Sequence, residues 1–185
     1  MKEALIATRN RGKLREIGAI LAPLGWNILS LNDFPGVPEI EEDRPTFAGN
    51  AEKKAAEAAR FTGKLTIADD SGLVVDALRG RPGVFSSRYA GENATDEDRY
   101  QKVLSEMAAI PRERRQAAFV CAIAISFPEG RIETVEGEIR GEIAPVPRGD
   151  NGFGYDPIFL IPDLGKTMAE IGPEIKNRIS HRARA

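Results

Sequence analysis

Apolar and polar residues alternate along the chain in blocks that predict strands and helices in turn. Short apolar runs are typical of buried strands, and apolar residues spaced three and four apart are typical of amphipathic helices. The predicted strands are 4–7, 27–31, 65–68, 73–75, 116–127, 132–140 and 157–160. The predicted helices are 14–21, 47–61, 96–107 and 173–179. Helices and strands alternate early and a hairpin follows, so the pattern predicts an α/β fold with a mixed sheet.

A polar segment interrupts the alternation at residues 32–45. It contains three prolines and a run of acids that includes Glu41 and Glu42, which predicts a loop instead of core structure. Thr46 follows as a predicted N-cap of the second helix. Thr95, with Asp98 three residues later, predicts a capping box at the start of the third helix.

Composition narrows the classes of protein that fit. The 185 residues are 42% hydrophobic and 29% charged, with a formal net charge of −2, as in a domain with one sizeable core. There is no basic stripe for a nucleic-acid polymer, so we expect a small polyanion as ligand. No apolar run approaches the ~18 residues that span a bilayer, and the N-terminus has no signal-peptide pattern. The single cysteine, Cys121, indicates a reducing, cytoplasmic setting, and one His with one Cys excludes the usual zinc sites.

Two adjacent acids follow the third predicted strand. Asp69 and Asp70, with Ser71 and Gly72, come directly after the apolar run 65–68. Adjacent carboxylates repel and are costly to bury without a partner, so a hard cation such as Mg²⁺ would stabilise them. This arrangement predicts metal-dependent phosphate chemistry at the edge of a sheet. The alternative is a polar turn after a strand, because Asp, Ser and Gly are all turn formers.

A polar turn between the first predicted strand and helix predicts an anion site. It consists of Thr8, Arg9, Asn10, Arg11, Gly12 and Lys13. Backbone N–H groups at a helix N-terminus attract anions, glycine permits close approach, and the lysine adds a cation. The turn lacks the spacing of a Walker A loop and of a dinucleotide-binding glycine motif. Lys54 and Lys176 are further candidate phosphate ligands, each with a solvated position on a helix as the alternative.

Two clusters near the C-terminus predict recognition of a base. They are Gly152, Phe153, Gly154, Tyr155 and Asp156, and then Ser180, His181 and Arg182. A base can stack on Phe153 while a backbone N–H or Asp156 contacts its edge, and the alternative is a tight turn whose rings anchor it in the core. The second cluster offers hydrogen-bond donors, which a purine 6-oxygen requires.

Together these stretches resemble the inosine triphosphate pyrophosphatase family, also called the non-standard purine NTP pyrophosphatases or Ham1-like proteins. The matching stretches are 8–13, Thr46-Phe47 with Asn50-Ala51 and Lys54-Ala55, 69–73, 80–83, 87–91, 152–159 and 180–182. The resemblance implies a single two-lobed α/β domain over residues 1–185, with a long central mixed β-sheet flanked by helices and a cleft between the lobes. It also implies Mg²⁺-dependent hydrolysis of ITP, dITP and XTP to the monophosphate and pyrophosphate, by a homodimer.

Residue roles follow from the same resemblance. The stretch from Thr8 to Lys13 would bind the triphosphate. Asp70 would be the general base, with its neighbour Asp69 as the open alternative. Asp70, with Glu41 or its neighbour Glu42, would also hold the metal ion. The substrate contacts would be Ser71, and for the base Phe153, Gly154, Tyr155, Asp156, Lys176, His181 and Arg182.

The sequence departs from the family pattern at Gly49, where relatives usually have Glu. We expect weaker support of the metal or water there, and a helix about 1 kcal/mol less stable than with Ala. The sequence also ends at Ala185, short of the family's usual final helix, so we expect less support for His181 and Arg182.

Two other functions remain open from the residues. A Maf-type nucleotide pyrophosphatase would act on pyrimidine or modified nucleotides, but the 152–156 and 180–182 clusters favour purines. A non-catalytic nucleotide-binding protein would bind the same ligand without turnover. A haloacid-dehalogenase-type phosphatase is disfavoured because Asp69-Asp70 lacks the DxD spacing that its chemistry uses.

Overall fold

The computed structural model describes residues 2–185, in which strands and helices alternate in the predicted order. The strands are β1 (Glu3–Ile6), β2 (Asn27–Ser30), β3 (Thr66–Val75), β4 (Gln116–Ser126), β5 (Ile132–Ile143), β6 (Phe159–Ile161) and β7 (Lys166–Thr167). The helices are α1 (Arg11–Leu21), α2 (Phe47–Thr62), α3 (Asp96–Glu106), α4 (Pro173–Ile179) and α5 (His181–Arg184). Short 3₁₀ turns such as Leu31–Asp33 and Gly83–Arg88 occur between them.

The strands of residues 2–185 form one mixed sheet in the order β2-β1-β3-β4-β5-β6-β7. β1 is parallel to both β2 and β3, with Ile6 opposite Ile67. β5, β6 and β7 are antiparallel, with Ile143 opposite Phe159. Parallel strands joined by helices in the first part, and antiparallel strands in the last, confirm the predicted α/β class with a mixed sheet.

The chain divides into two compact units. The first unit comprises residues 2–70, 121–137 and 185. Its core includes Ala51, Ala55 and Ala58 of α2 together with Ala122 and Ala124 of β4. Small side chains on both elements let the backbone of a helix lie close to that of a strand. Polar residues on the buried face of α2 therefore reach the strands as well.

The second unit comprises residues 71–120 and 138–184. Its core contains larger side chains, among them Leu73, Met107, Phe119 and Phe159. The buried Arg115 also serves this core, since its guanidinium donates to the backbone carbonyls of Met107, Ile143 and Ala144 at 2.7–3.2 Å. These bonds tie the C-terminal end of α3 to the sheet and satisfy carbonyls that would otherwise be buried without donors.

The prediction that Asp69 and Asp70 follow the end of a strand is wrong. β3 continues without a break from Thr66 to Val75, so both acids lie within the strand. The break was predicted because the apolar run ends at Ala68, and a strand that continues through adjacent buried carboxylates needs partners for them. Lysine, amide and thiol donors supply those partners, and the strand can therefore continue through the acids.

Two elements, β7 and α5, were not predicted. They contain only two and four residues, which is too short for a hydrophobic period to show in the sequence. Within residues 2–185, no helix combines the length and apolarity needed to cross a membrane.

Candidate active site

The turn between β1 and α1 contains the predicted phosphate ligands. Asn10 is the N-cap of α1, and its side-chain oxygen accepts from the N–H groups of Gly12 and Lys13 at 2.8 and 3.0 Å. The N–H of Asn10 in turn donates to Thr8 Oγ1 at 3.1 Å. Both helix amides thus have an acceptor already. An anion at this turn would displace the Asn10 side chain or bind through the cations around it.

The cations of this turn are held differently from one another. Arg9 Nη2 donates to the carbonyl of Val37 at 3.0 Å, which ties the turn to the 32–45 loop. Arg11 is exposed at the first residue of α1. Lys13 is half-buried, and its ammonium group forms an ion pair with Asp69 of β3. The structure therefore brings Lys13 to the acids of β3.

Asp69 is held on every side. Its carboxylate pairs with Lys13 through Oδ1 and accepts from the Cys121 thiol through Oδ2, at 2.9 Å between sulfur and oxygen. Its backbone carbonyl accepts from Lys54 Nζ at 2.7 Å. Its side chain has no exposed surface. Asp69 therefore contacts both lysines, and its carboxylate is buried between Lys13 and Cys121.

Asp70 has donors on both carboxylate oxygens as well. Lys54 Nζ lies 3.2 Å from Oδ1, and Asn50 Nδ2 donates to Oδ2 at 3.1 Å. The same Lys54 ammonium group lies 2.7 Å from Glu42 Oε1, whereas Glu41 is exposed. Of the two acids predicted as alternatives for the metal, the structure thus places Glu42 beside Asp70. We refer to Lys13, Glu42, Lys54, Asp69 and Asp70 as the acid–lysine cluster.

Burial changes the pKa values of the central pair in this cluster. It raises the pKa of Asp70 above the ordinary value, and Glu42 adds to the rise while Lys54 and Lys13 oppose it. Burial lowers the pKa of Lys54, but the carboxylates of Asp70 and Glu42 outweigh that effect and hold its pKa above the ordinary value. Lys54 therefore stays a cation, and Asp70 is a better proton acceptor than an exposed carboxylate.

The acid–lysine cluster fits a hard divalent cation. Glu42 and Asp70 both lie within hydrogen-bond distance of one ammonium nitrogen, so their carboxylates are close to each other. Within residues 2–185, no group of three or more His, Cys, Asp or Glu side chains is arranged to hold a metal ion. Mg²⁺ commonly takes one or two protein carboxylates and completes its shell with water and substrate phosphates, which matches two carboxylates.

The second unit contains the predicted base-binding residues. Phe153 is half-buried, with Lys176 Nζ 4.8 Å and Arg182 Cζ 5.9 Å from its ring centroid. Lys176 also forms a buried ion pair with Asp156. Arg182 donates through Nη2 to Ser71 Oγ at 3.0 Å. The structure thus gathers these four residues and Ser71, all predicted from the sequence, in the second unit. We refer to Phe153, Asp156, Lys176 and Arg182 as the aromatic–cation group.

His181 and Arg182 are well supported, contrary to our expectation. His181 is 6% exposed and stacks on Phe119, with ring centroids 5.0 Å apart. Arg182 is 2% exposed. Both belong to α5, whose last residue, Arg184, donates to the carbonyl of Glu138 at 2.9 Å.

The loop at residues 152–156, which we call the purine loop, is more enclosed than the sequence indicated. The N–H groups of Phe153 and Gly154 both donate to carboxylates within the second unit, at 2.9 and 2.7 Å. Tyr155 lies in the core and its hydroxyl donates to the carbonyl of Ser86 at 2.8 Å. Burial raises the pKa of this hydroxyl above the ordinary value. Tyr155 therefore anchors the loop in the core, which is the alternative that the sequence left open for this ring.

Two residues of the acid–lysine environment had no role assigned from the sequence. Asn50 is 1% exposed and links Asp70 to the backbone of Arg44, whose N–H donates to Asn50 Oδ1 at 2.8 Å. Cys121 is buried, as predicted, but its thiol also contacts Asp69. A signal for Asn50 exists, because Asn50 and Lys54 are polar residues spaced four apart on the alanine face of α2. No sequence signal connects Cys121 to Asp69.

A buried carboxylate beside lysines, next to a turn at a helix N-terminus, is typical of proteins that act on phosphate groups. Comparison with known proteins agrees with this class. The Ham1 family model matches residues 4–185. The chain is 56% identical to a dITP/XTP pyrophosphatase of Geobacter sulfurreducens, over 100% of this chain and 93% of the relative. It is 52% identical to a dITP/XTP pyrophosphatase of Bacillus subtilis, with the same coverage.

Solved structures give the same result. A HAM1 protein from Coxiella burnetii superimposes with a TM-score of 0.89 at 47% identity, covering 100% of this chain and 94% of that one. The Ham1 protein of Staphylococcus aureus gives a TM-score of 0.87 at 42% identity, with the same coverage. The chain belongs to the Ham1 family.

Proposed function

We propose that this protein hydrolyses deaminated purine nucleoside triphosphates, namely ITP, dITP and XTP, to the monophosphate and pyrophosphate. The observation that carries the proposal is the buried Asp70, whose two carboxylate oxygens accept from Lys54 and Asn50 and whose pKa is raised. Relatives of this chain that share about half of its residues are dITP/XTP pyrophosphatases, which supports the substrate class.

The reaction adds water across the bond between the α- and β-phosphates. In our proposal the oxygen of a water molecule attacks the α-phosphorus while Asp70 accepts a proton from that water. The β- and γ-phosphates depart together as pyrophosphate. Lys13 and Lys54 attract the triphosphate and stabilise the negative charge that develops on its oxygens. Asp69 keeps both lysines in place through its carboxylate and its carbonyl. This division of roles favours Asp70 over Asp69 as the base.

We further propose that the metal is Mg²⁺ and that Glu42 and Asp70 would hold it. Such an ion neutralises charge on phosphate oxygens when bound. Glu42 and Asp70 supply two carboxylates that lie close together. The ammonium group of Lys54 offsets the repulsion between them when no metal ion is bound. Chelation with EDTA should abolish turnover, and added Mg²⁺ should restore it. Full activity in EDTA would contradict this part of the proposal.

Purine selection is assigned to the second unit. Hypoxanthine and xanthine carry an acceptor oxygen at position 6, where adenine carries an amino donor. Donors such as those of Arg182 and Lys176 would pair with that oxygen and would face another donor with adenine. Buried polar groups left unpaired discriminate strongly between substrates. Phe153 offers the ring on which the base would stack.

A substrate panel tests the proposal directly. Purified protein with Mg²⁺ is given ITP, dITP, XTP, ATP, GTP and dTTP, and pyrophosphate and orthophosphate are measured separately. Pyrophosphate should form from ITP and XTP much faster than from ATP. Orthophosphate as the first product would contradict the position of cleavage. Binding of ITP without turnover would show a nucleotide-binding protein, and preferred hydrolysis of dTTP would favour the Maf-type alternative.

The homodimer and the cytoplasmic setting stay predictions. The dimer is tested by the molar mass in solution, measured by light scattering at several concentrations. A chain of 20.2 kDa should give about twice that mass if the prediction holds.

A further inference from the structure

The beginning of helix α3 contacts the purine loop at its centre. Asp96, the first residue of α3, accepts the N–H of Gly154 through Oδ2 at 2.7 Å. Its other oxygen, Oδ1, accepts from Arg99 Nη1 at 2.7 Å, one turn further along the helix. The carboxylate is therefore fixed from both sides. Gly154 itself has a φ of +63°, in the left-handed region that glycine adopts without strain.

The other anchors of the purine loop lie on either side of Gly154. The N–H of Phe153 donates to Asp156 Oδ2 at 2.9 Å, which closes the loop on itself. The hydroxyl of Tyr155 donates to Ser86 in the core. Gly154 is held by Asp96, 58 positions away in the sequence. The backbone between the aromatic residues thus depends on a carboxylate that belongs to another element.

We propose that Asp96 is a positioning residue for purine selection. By holding the N–H of Gly154, it fixes the backbone beside Phe153 and so sets where the ring lies relative to Lys176 and Arg182. The two cations lie 4.8 and 5.9 Å from the ring centroid, a spacing that a shift of the loop would change. The inference rests on the proposed function, because it assigns a role in the loop that would hold the base.

The test compares Asp96→Ala, Asp96→Asn and Glu97→Ala in the full chain. The alanine variant removes the acceptor, whereas asparagine keeps an oxygen that accepts from Gly154. Glu97 lies in the same first turn with the same charge and is exposed, so its variant controls for the helix dipole. Steady-state kinetics with ITP and with ATP give kcat and KM separately for each variant.

Asp96→Ala should raise the KM for ITP about three- to tenfold with kcat nearly unchanged, because the charge-assisted hydrogen bond from Gly154 is lost together with the partly exposed ion pair to Arg99. Its ITP to ATP ratio of kcat/KM should fall by a similar factor. Asp96→Asn should stay within about twofold of the wild type, and so should Glu97→Ala. Equal behaviour of Asp96→Ala and Glu97→Ala would overturn the inference. A fall in kcat at constant KM, or an asparagine variant as poor as the alanine one, would overturn it too.

Failure of the proposed function gives a different pattern. If the wild type binds ITP but releases no pyrophosphate, the proposed reaction is wrong. The dissociation constants of ITP for the same variants, measured by calorimetry, should then still follow the order predicted for KM. Constants that do not follow that order would overturn the role of Asp96. If the wild type neither binds nor hydrolyses ITP, both proposals are wrong.

Discussion

The acid–lysine cluster of the first unit and the aromatic–cation group of the second unit bury charge in opposite proportions. The cluster holds the carboxylates of Glu42, Asp69 and Asp70 against the ammonium groups of Lys13 and Lys54. The group instead holds one carboxylate and two cations: Asp156 pairs with Lys176, and Lys176 and Arg182 both lie near the ring of Phe153.

This difference matches two different ligands. An excess of carboxylate is stabilised by adding a cation, and it supplies a base for attack on phosphorus. An excess of donors around an aromatic ring is stabilised by adding a flat acceptor, as a 6-oxopurine is. The two regions therefore divide the proposed reaction into chemistry and selection. Changes in the first should alter kcat, and changes in the second should alter the choice of substrate.

The largest expected effect comes from Asp70→Asn in the first unit. Removing a general base typically costs about 10²- to 10⁴-fold in turnover, and we expect kcat with ITP to fall within that range. Because burial raises the pKa of Asp70, a neutral side chain suits this position. The free energy of unfolding at neutral pH should therefore not fall, as measured by chemical denaturation.

Asp76→Asn is the matched control for this experiment. Asp76 lies on the same chain segment just after β3 but is exposed, so its variant should keep wild-type kcat. Near-normal turnover in Asp70→Asn would contradict the assignment of the base. A change in the ITP to ATP ratio without a change in kcat would break the proposed division between the two regions.

The next effect concerns the shape of the purine loop. A Cβ at Gly152 would overlap the carboxylate of Asp156, and the φ of +80° is unfavourable for other residues. We expect Gly152→Ala to lower the free energy of unfolding by about 3 kcal/mol, the combined scale of overpacking and backbone strain. The variant should also raise the KM for ITP, because Asp156 would have to move away from Phe153 and Lys176. Urea denaturation and steady-state kinetics measure the two effects.

Gly130 provides the control, since its φ is +94° but a Cβ there has open space around it. Gly130→Ala should cost only about 1 kcal/mol, from backbone strain alone. If both variants lost the same stability, the contact with Asp156 would have no part in the effect.

Arg182→Ala tests the selection of ITP over ATP, and we expect a smaller effect than in the two experiments above. Losing its guanidinium donors should lower kcat/KM for ITP about tenfold and leave ATP less affected, so that the ratio between the two narrows. Arg178→Ala, an exposed arginine of α4, is the control for charge. An unchanged ITP to ATP ratio in Arg182→Ala would show that selection does not depend on this residue.

The features that the sequence revealed are local ones. The N-caps Thr46 and Thr95 begin α2 and α3 as predicted, because capping depends on residues within one turn. Asp70 was predicted as a site residue because two adjacent acids directly follow an apolar run in the sequence. Its place inside a continuous strand was missed, because the partners that permit it come from another strand and from helices.

The features that the sequence could not reveal are long-range pairs. Cys121 contacts Asp69 across 52 positions, and Arg182 contacts Ser71 across 111. Such pairs depend on strand register and on how helices pack, which no window of neighbouring residues contains. The position of Glu42, and not Glu41, beside Lys54 is of the same kind, because it depends on where this side chain of α2 reaches the loop.

The smallest expected effect tests whether the start of α3 supports the second unit. Asp98 accepts from the N–H and the hydroxyl of Thr95 at 2.8 and 2.7 Å, and these bonds lower its pKa below the ordinary value of 3.8. A lowered pKa means that the carboxylate stabilises the folded state above about pH 3.8 and that this stabilisation is lost as pH falls through the lower folded value. Asp98→Asn should therefore be slightly less stable than the wild type at neutral pH.

The difference between Asp98→Asn and the wild type should shrink as pH falls below the ordinary value of 3.8 and should disappear once pH is below the lowered pKa of the folded state, where the wild-type carboxyl is neutral too. Denaturation curves at several pH values measure it, with Glu97→Gln as a control of equal charge change in the same turn. A gap that stays constant across this range would show that the charge of Asp98 does not stabilise the helix. The same curves sharpen the comparison of the two regions, because α3 also carries Asp96. If weakening the cap shifts the KM for ITP while kcat stays constant, selection depends on this helix and catalysis does not.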